Sequence, residues 1–117
     1  MSARGAHARQ LQILATTRFP GPAFDDLGRR HSARVHEDAA ELARDDAAYC
    51  AAVDVVLTWG GAGPFGRELM DAFPALGLIG TYGVGVDHLD LDAARSRAIT
   101  VVTTKGAVER PTAEVAV

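Results

Sequence analysis

Four short apolar runs constrain this chain more than any other feature: residues 11–16 (LQILAT), 53–59 (VDVVLTW), 76–82 (LGLIGTY) and 99–103 (ITVVT). Each has the length of a strand, and the later ones are nearly continuous in Val, Ile and Leu, as strands buried on both faces are. A brief further strand is expected over 33–36. The intervening stretches are too long for hairpins and have helical character, so successive strands must connect by crossovers. That alternation predicts a doubly wound α/β domain, a parallel sheet with helices on both faces.

Local signals place the helices. Pro20, Gly21 and Pro22 close the first strand, and Phe24 and Leu27 share a face of a short helix over 23–30. Residues 38–52 are Ala-rich and fit one helix, or a turn and a shorter helix. Residues 67–73 (RELMDAF) form a helix stopped by Pro74, and Asp90 and Asp92 favour a helix start before 92–97. Residues 110–117 (RPTAEVAV) resemble the opening of another helix, with Pro111 suited to its first turn. The sequence stops there on Ala116 and Val117 without a cap, which is expected of a cut inside an incomplete domain.

Composition excludes several function classes. The net charge is −3, with Arg interleaved among Asp and Glu, which gives no basis for nucleic acid or an anionic membrane as partner. No apolar run approaches a membrane span, and residues 1–10 lack the apolar centre of a signal peptide, so a cytoplasmic location is expected. Cys50 is the single cysteine; it sits in an Ala-rich stretch as a small hydrophobe, with no intrachain disulfide possible. No metal-ligand pattern is present, and no metal is expected.

Two glycine loops are candidates for chemistry. Gly61-Ala62-Gly63-Pro64-Phe65-Gly66 is a formal G-x-G-x-x-G between a strand and a helix, the arrangement that lets backbone approach a pyrophosphate. Yet Trp59 and Gly60 loosen the turn, earlier strands already precede it, and Asp87 lies somewhat beyond the usual distance for a ribose-binding acid and in its own loop. A connecting loop is the simpler account. The second loop, Gly83-Val84-Gly85-Val86-Asp87, also follows a strand, where open α/β sheets bind ligands. Glycines on both sides of Val84 permit consecutive N–H groups to cradle a carboxylate. A tight turn closed by Asp87 explains the same residues equally well.

From residue 53 onward the chain resembles the D-isomer-specific 2-hydroxyacid dehydrogenases. The resemblance is carried in order by Leu57-Thr58, the glycine loop 60–66, Pro74-Ala75-Leu76, the loop 83–87 and Leu89-Asp90-Leu91. Ala93-Ala94-Arg95, Arg97 before an apolar strand, Thr103-Thr104 and Ala113-Glu114 complete it. It implies that residues 1–117 are the amino-terminal part of a flavodoxin-like substrate domain, with 110–117 opening an interdomain helix and the dinucleotide-binding domain absent. It further implies an NAD- or NADP-dependent oxidoreductase acting on the CH–OH group of a small 2-hydroxy or 2-keto acid, homodimeric in full-length relatives. Substrate carboxylate would be held by the backbone of Val84 and Gly85, and Thr112 would lie near the nicotinamide.

The match departs from the family at Lys105, in place of a Pro, at Ala98, in place of a Gly, and at Glu109, in place of a Thr. Loss of Gly at a helix end strains a left-handed position. The Arg and the acid-paired His of the family's chemistry lie beyond such a segment, so no catalytic residue is assigned and the chain alone is expected to be inactive. None of His7, His31, His36 or His88 replaces that base by motif; His88, nearest the loop, suits a surface or capping role. A non-catalytic module that binds a small carboxylate is the alternative. A receiver-like domain is disfavoured, because Asp54 is at the wrong end of its strand and Thr58-Trp59 stand where a phosphoacceptor belongs.

Overall fold

The computed structural model describes residues 10–19, 22–82, 87–103 and 106–109. In chain order the elements are β1 (Gln12–Ala15), α1 (Pro22–Arg30), β2 (Ser32–Val35), α2 (Ala39–Asp45), α3 (Ala47–Ala51) and β3 (Val55–Trp59). They continue with α4 (Arg67–Asp71), β4 (Leu78–Tyr82), α5 (Leu91–Ser96), β5 (Thr100–Thr103) and β6 (Gly106–Glu109).

The strands form one sheet in the order β2-β1-β3-β4-β5-β6. The first five are parallel, as the alternation of strand and helix predicts, and their order is the flavodoxin-like one that the family resemblance implies. The sixth is antiparallel to β5, an edge strand outside the elements expected from the sequence. The connection from β1 to β2 runs opposite to every later crossover along the sheet. Right-handed crossovers therefore put α1 on one face and α2 to α5 on the other.

The larger core lies under α2 to α5. Leu14, Val56, Ile79 and Val101 stand side by side in register across β1, β3, β4 and β5, and all are fully buried. Leu42, Cys50, Met70, Phe73, Ala93, Ala94 and Ile99 pack over them. The opposite face is covered more lightly. Leu57, Gly80 and Val102 floor a groove of ≈270 Å³ there, walled by Phe19, Phe24, Leu27 and Tyr82.

Capping explains the helix boundaries. The 38–52 stretch divides in two at Asp46, whose N–H closes α2 on the Leu42 carbonyl while its carboxylate accepts from Tyr49 N to start α3. Asp38 and Asp90 cap α2 and α5 by accepting from Glu41 N at 3.0 Å and Ala93 N at 2.9 Å. Residue 98 has the strained geometry anticipated for a lost glycine, with φ 58°. Ala98 N donates to Arg95 O and Ile99 N to Ala94 O, the paired bonds of a Schellman turn.

Candidate functional site

The parallel strands end together. Thr58 and Thr81 are register partners, as are Thr81 and Thr103, and Thr16 joins the row by a hydroxyl–hydroxyl bond of 3.1 Å to Thr58. Thr16, Thr58 and Thr81 are buried. This row of β-branched hydroxyls sits one layer above the apolar layer of Leu14, Val56, Ile79 and Val101. Threonine satisfies both demands of such a position, filling a pleated surface while presenting a polar atom to the loops. Its recurrence at one level is visible only once strand register is known.

Two loops rise from this edge, and they are joined. Phe65 N donates to His88 O at 2.7 Å, and Phe65 and Leu89 form a parallel bridge. Phe65 is buried against Phe73, with ring centroids 5.7 Å apart. The His88 side chain shares a 3.0 Å hydrogen bond with Thr81 Oγ1, and a Cβ placed on Gly60 would lie 3.9 Å from His88 Nδ1. Burial holds the His88 imidazole below its ordinary pKa, with the Asp87 carboxylate opposing. The imidazole is therefore neutral near pH 7. Sequence placed His88 beside the loop but gave no sign of this junction.

The glycine motif 61–66 does not have the form of a dinucleotide cradle. It follows β3, begins with a tight 3₁₀ turn (Gly60–Ala62), and leads into a five-residue helix without a side-chain cap. A side chain at Gly61 would collide with the Trp59 indole, and Phe65 points into the core. Gly63, at φ 95°, meets the conformational need for glycine in this connection. The described residues do not fit a bound NAD(P) pyrophosphate. A cavity of ≈180 Å³ beside this loop is lined by Thr16, Thr58, Asp38, Pro64 and Phe65.

Other candidates resolve as structure. Asp54, at the start of β3, accepts from Gln12 N at 2.9 Å and splices β1 to β3. Cys50 is fully buried, and desolvation, then Asp46, raise its thiol pKa against the opposing effect of Arg34. Arg97 binds Asp71 at 2.7 Å and ties the end of α5 to the end of α4. Val84, Gly85 and Thr112, the site residues expected from the sequence, lie outside the described residues, as do 110–117. In sequence, Val84 and Gly85 follow the last residue of β4, Tyr82, and precede Asp87 and His88.

A flavodoxin-like parallel sheet flanked by helices defines an α/β domain of the doubly wound class, in which ligands, when bound, lie beyond the carboxyl ends of the strands. Residues 14–116 match the D-isomer specific 2-hydroxyacid dehydrogenase family, catalytic domain, and the chain belongs to that family. A 2-ketogluconate reductase of Gluconobacter oxydans (strain 621H) is 41% identical over 61 residues, 52% of this chain and 20% of that protein. A glyoxylate reductase of Thermofilum pendens (strain DSM 2475 / Hrk 5) is 47% identical over 47 residues, 40% of this chain and 14% of that protein. An NADPH-dependent glyoxylate/hydroxypyruvate reductase of Sinorhizobium meliloti, solved with NADP and malonate, superposes with a TM-score of 0.67 at 27% identity. That alignment covers 82% of this chain and 28% of the reductase. The chain thus spans a minor part of each relative. Among the described residues, no helix is long and apolar enough to cross a membrane.

Proposed function

We propose that this chain supplies the substrate-carboxylate side of an NAD(P)-dependent D-2-hydroxyacid dehydrogenase, an oxidoreductase acting on the CH–OH group of small 2-hydroxy acids. The observation that supports the reading is the end of β4 at Tyr82, on the carboxyl edge of the parallel sheet, from which the sequence runs directly into residues 83–87 within the family match. The backbone N–H groups of Val84 and Gly85 are the carboxylate donors, because consecutive amides bind an anion without a buried cationic side chain. NAD or NADP would supply the hydride. The described residues form no cradle for it, so Thr112 is the one residue of this chain assigned to the cofactor's vicinity. Full-length relatives are expected to be homodimers.

Binding and turnover separate under this proposal. Adding millimolar oxalate to the isotope-labelled 117-residue chain should shift the amide resonances of Val84 and Gly85. Shifts centred on 61–66, or none, refute the assignment. The same chain should oxidise no NADPH with glyoxylate or hydroxypyruvate; turnover above background would place the acid–base groups within it.

A further inference from the structure

The sheet has one place where neighbouring connections part. The chain leaves β1 toward α1 on one face and leaves β3 toward α4 on the other, so a crevice opens between the carboxyl ends of these adjacent strands. Doubly wound sheets hold ligands at such a switch point. Here the crevice is the ≈180 Å³ cavity bordered by Thr16, which follows β1, and Thr58, in β3. The 62–65 segment and the first residues of α2 close its sides.

Thr16 and Thr58 are buried, with their hydroxyl oxygens 3.1 Å apart. Each hydroxyl has one proton to donate. One proton makes their mutual bond. The other is left with the Leu57 carbonyl, 3.5 Å from Thr16 Oγ1, beyond the usual O–H···O range of about 2.5–3.0 Å. Among the described residues, the pair therefore keeps a donor and lone pairs for a molecule in the cavity. The other walls are largely apolar, with Phe65 and Leu69 on one side and Ala39 on another. Asp38 is the one charged residue among the described lining, and its carboxylate already accepts from Glu41 N at 3.0 Å. An anion would meet that carboxylate with no cation beside it. Phosphate, the ligand that the glycine spacing at 61–66 formally suggests, is thus disfavoured by the site's own charge.

We propose that this cavity binds a small uncharged alcohol or polyol, with a hydroxyl on the Thr16–Thr58 pair and its carbon skeleton against Phe65 and Leu69. Taking about 30 Å³ for each water-sized group, the ≈180 Å³ of the cavity holds on the order of six non-hydrogen atoms. The site uses neither Val84 nor Gly85, so it and the carboxylate reading can each fail without the other.

The probe is 1,4-butanediol, which has this size and no charge, added to the isotope-labelled 117-residue chain. Millimolar diol should shift the resonances of Thr16, Thr58, Ala62 and Leu69 in a saturable way, and phosphate at equal concentration should shift none of them. Two variants, each checked for folding by circular dichroism, test the placement. Thr58→Val keeps the side-chain shape without the hydroxyl and should weaken the diol about fivefold, the loss of one hydrogen bond. Ala62→Leu extends a lining side chain into the cavity and should abolish the saturable shifts. Absence of diol shifts at the four residues overturns the proposal, and so does phosphate binding there. Equal diol affinity in folded Ala62→Leu and wild type overturns it as well, because the diol then sits elsewhere. Should Thr58→Val not fold, Thr16→Val takes its place with the same expected fivefold loss, and an unchanged affinity refutes the role of the hydroxyl pair.

Discussion

Ala98→Gly should stabilise the fold. Residue 98 closes α5 with φ 58°, a left-handed conformation, and it is the sole non-glycine residue with positive φ among the described residues. An L-residue pays about 1–2 kcal/mol to occupy that region. Its side chain is exposed, so removing the methyl forfeits no burial. Both Schellman bonds, Ala98 N to Arg95 O at 3.1 Å and Ile99 N to Ala94 O at 2.8 Å, are made by backbone and survive the change. Against the relief stands glycine's greater freedom in the unfolded chain, about 0.4–1 kcal/mol. The two ranges leave a net gain centred on about 0.8 kcal/mol. For a chain of 117 residues this raises the thermal midpoint by roughly 2–4 °C. Differential scanning calorimetry at pH 7.5 measures it, and urea unfolding should give an unchanged m-value with a higher midpoint. A midpoint equal to or below wild type would falsify the strain assignment, because no other contact of Ala98 is altered.

Three further outcomes follow from the packing and the charges. Phe65→Ala should cost about 3–5 kcal/mol, the usual loss for a buried aromatic ring, and Phe65→Leu much less; urea midpoints within about 1 kcal/mol of wild type for the Ala variant would mean that the ring does not anchor the loop. Tyr49 has a buried hydroxyl without a hydrogen-bond partner beneath the Arg34 guanidinium, which sits 4.5 Å from the ring centroid. Tyr49→Phe should therefore stabilise by about 1 kcal/mol, read from the same urea curves, and a loss of stability would show that the hydroxyl is bonded. His88 is held below its ordinary 6.5 when folded, so the unfolded chain binds the proton more readily. Its stabilising contribution is fully present above pH 6.5 and is lost as pH falls through the depressed folded value. Wild type should lose stability relative to His88→Gln between pH 7.5 and 5, and parallel pH profiles would refute the assignment.

The parallel sheet was legible because its strands are dense in Val, Ile and Leu at crossover spacing. Ile79 and Val101 need no tertiary information to be placed inside. The break at Asp46 was half-legible: an Asp among alanines favours a cap, but only the Leu42 carbonyl and the Tyr49 amide on either side decide that it serves two helices. The edge strand β6 was missed, since Gly106–Glu109 has neither alternation nor a recognisable hairpin turn before it. Within the site, the glycine spacing at 61–66 matches a phosphate loop formally, but the looser turn at Trp59 and Gly60 already favours a connecting loop, and the buried Phe65 agrees with that. The part played by His88 depends on Thr81 and Phe65, which approach it from two other elements. No local pattern of residues encodes that meeting.

The threonine row carries a consequence for how such a domain can change. The loops after β1, β3 and β4 set out from one plane of hydroxyls anchored on fully buried side chains below. Lengthening or recomposing one loop alters what lies above that plane and leaves the strands beneath it in place. What the domain presents above its sheet can then be rewritten one connection at a time, while the sheet acts as a fixed datum against which each new loop is measured.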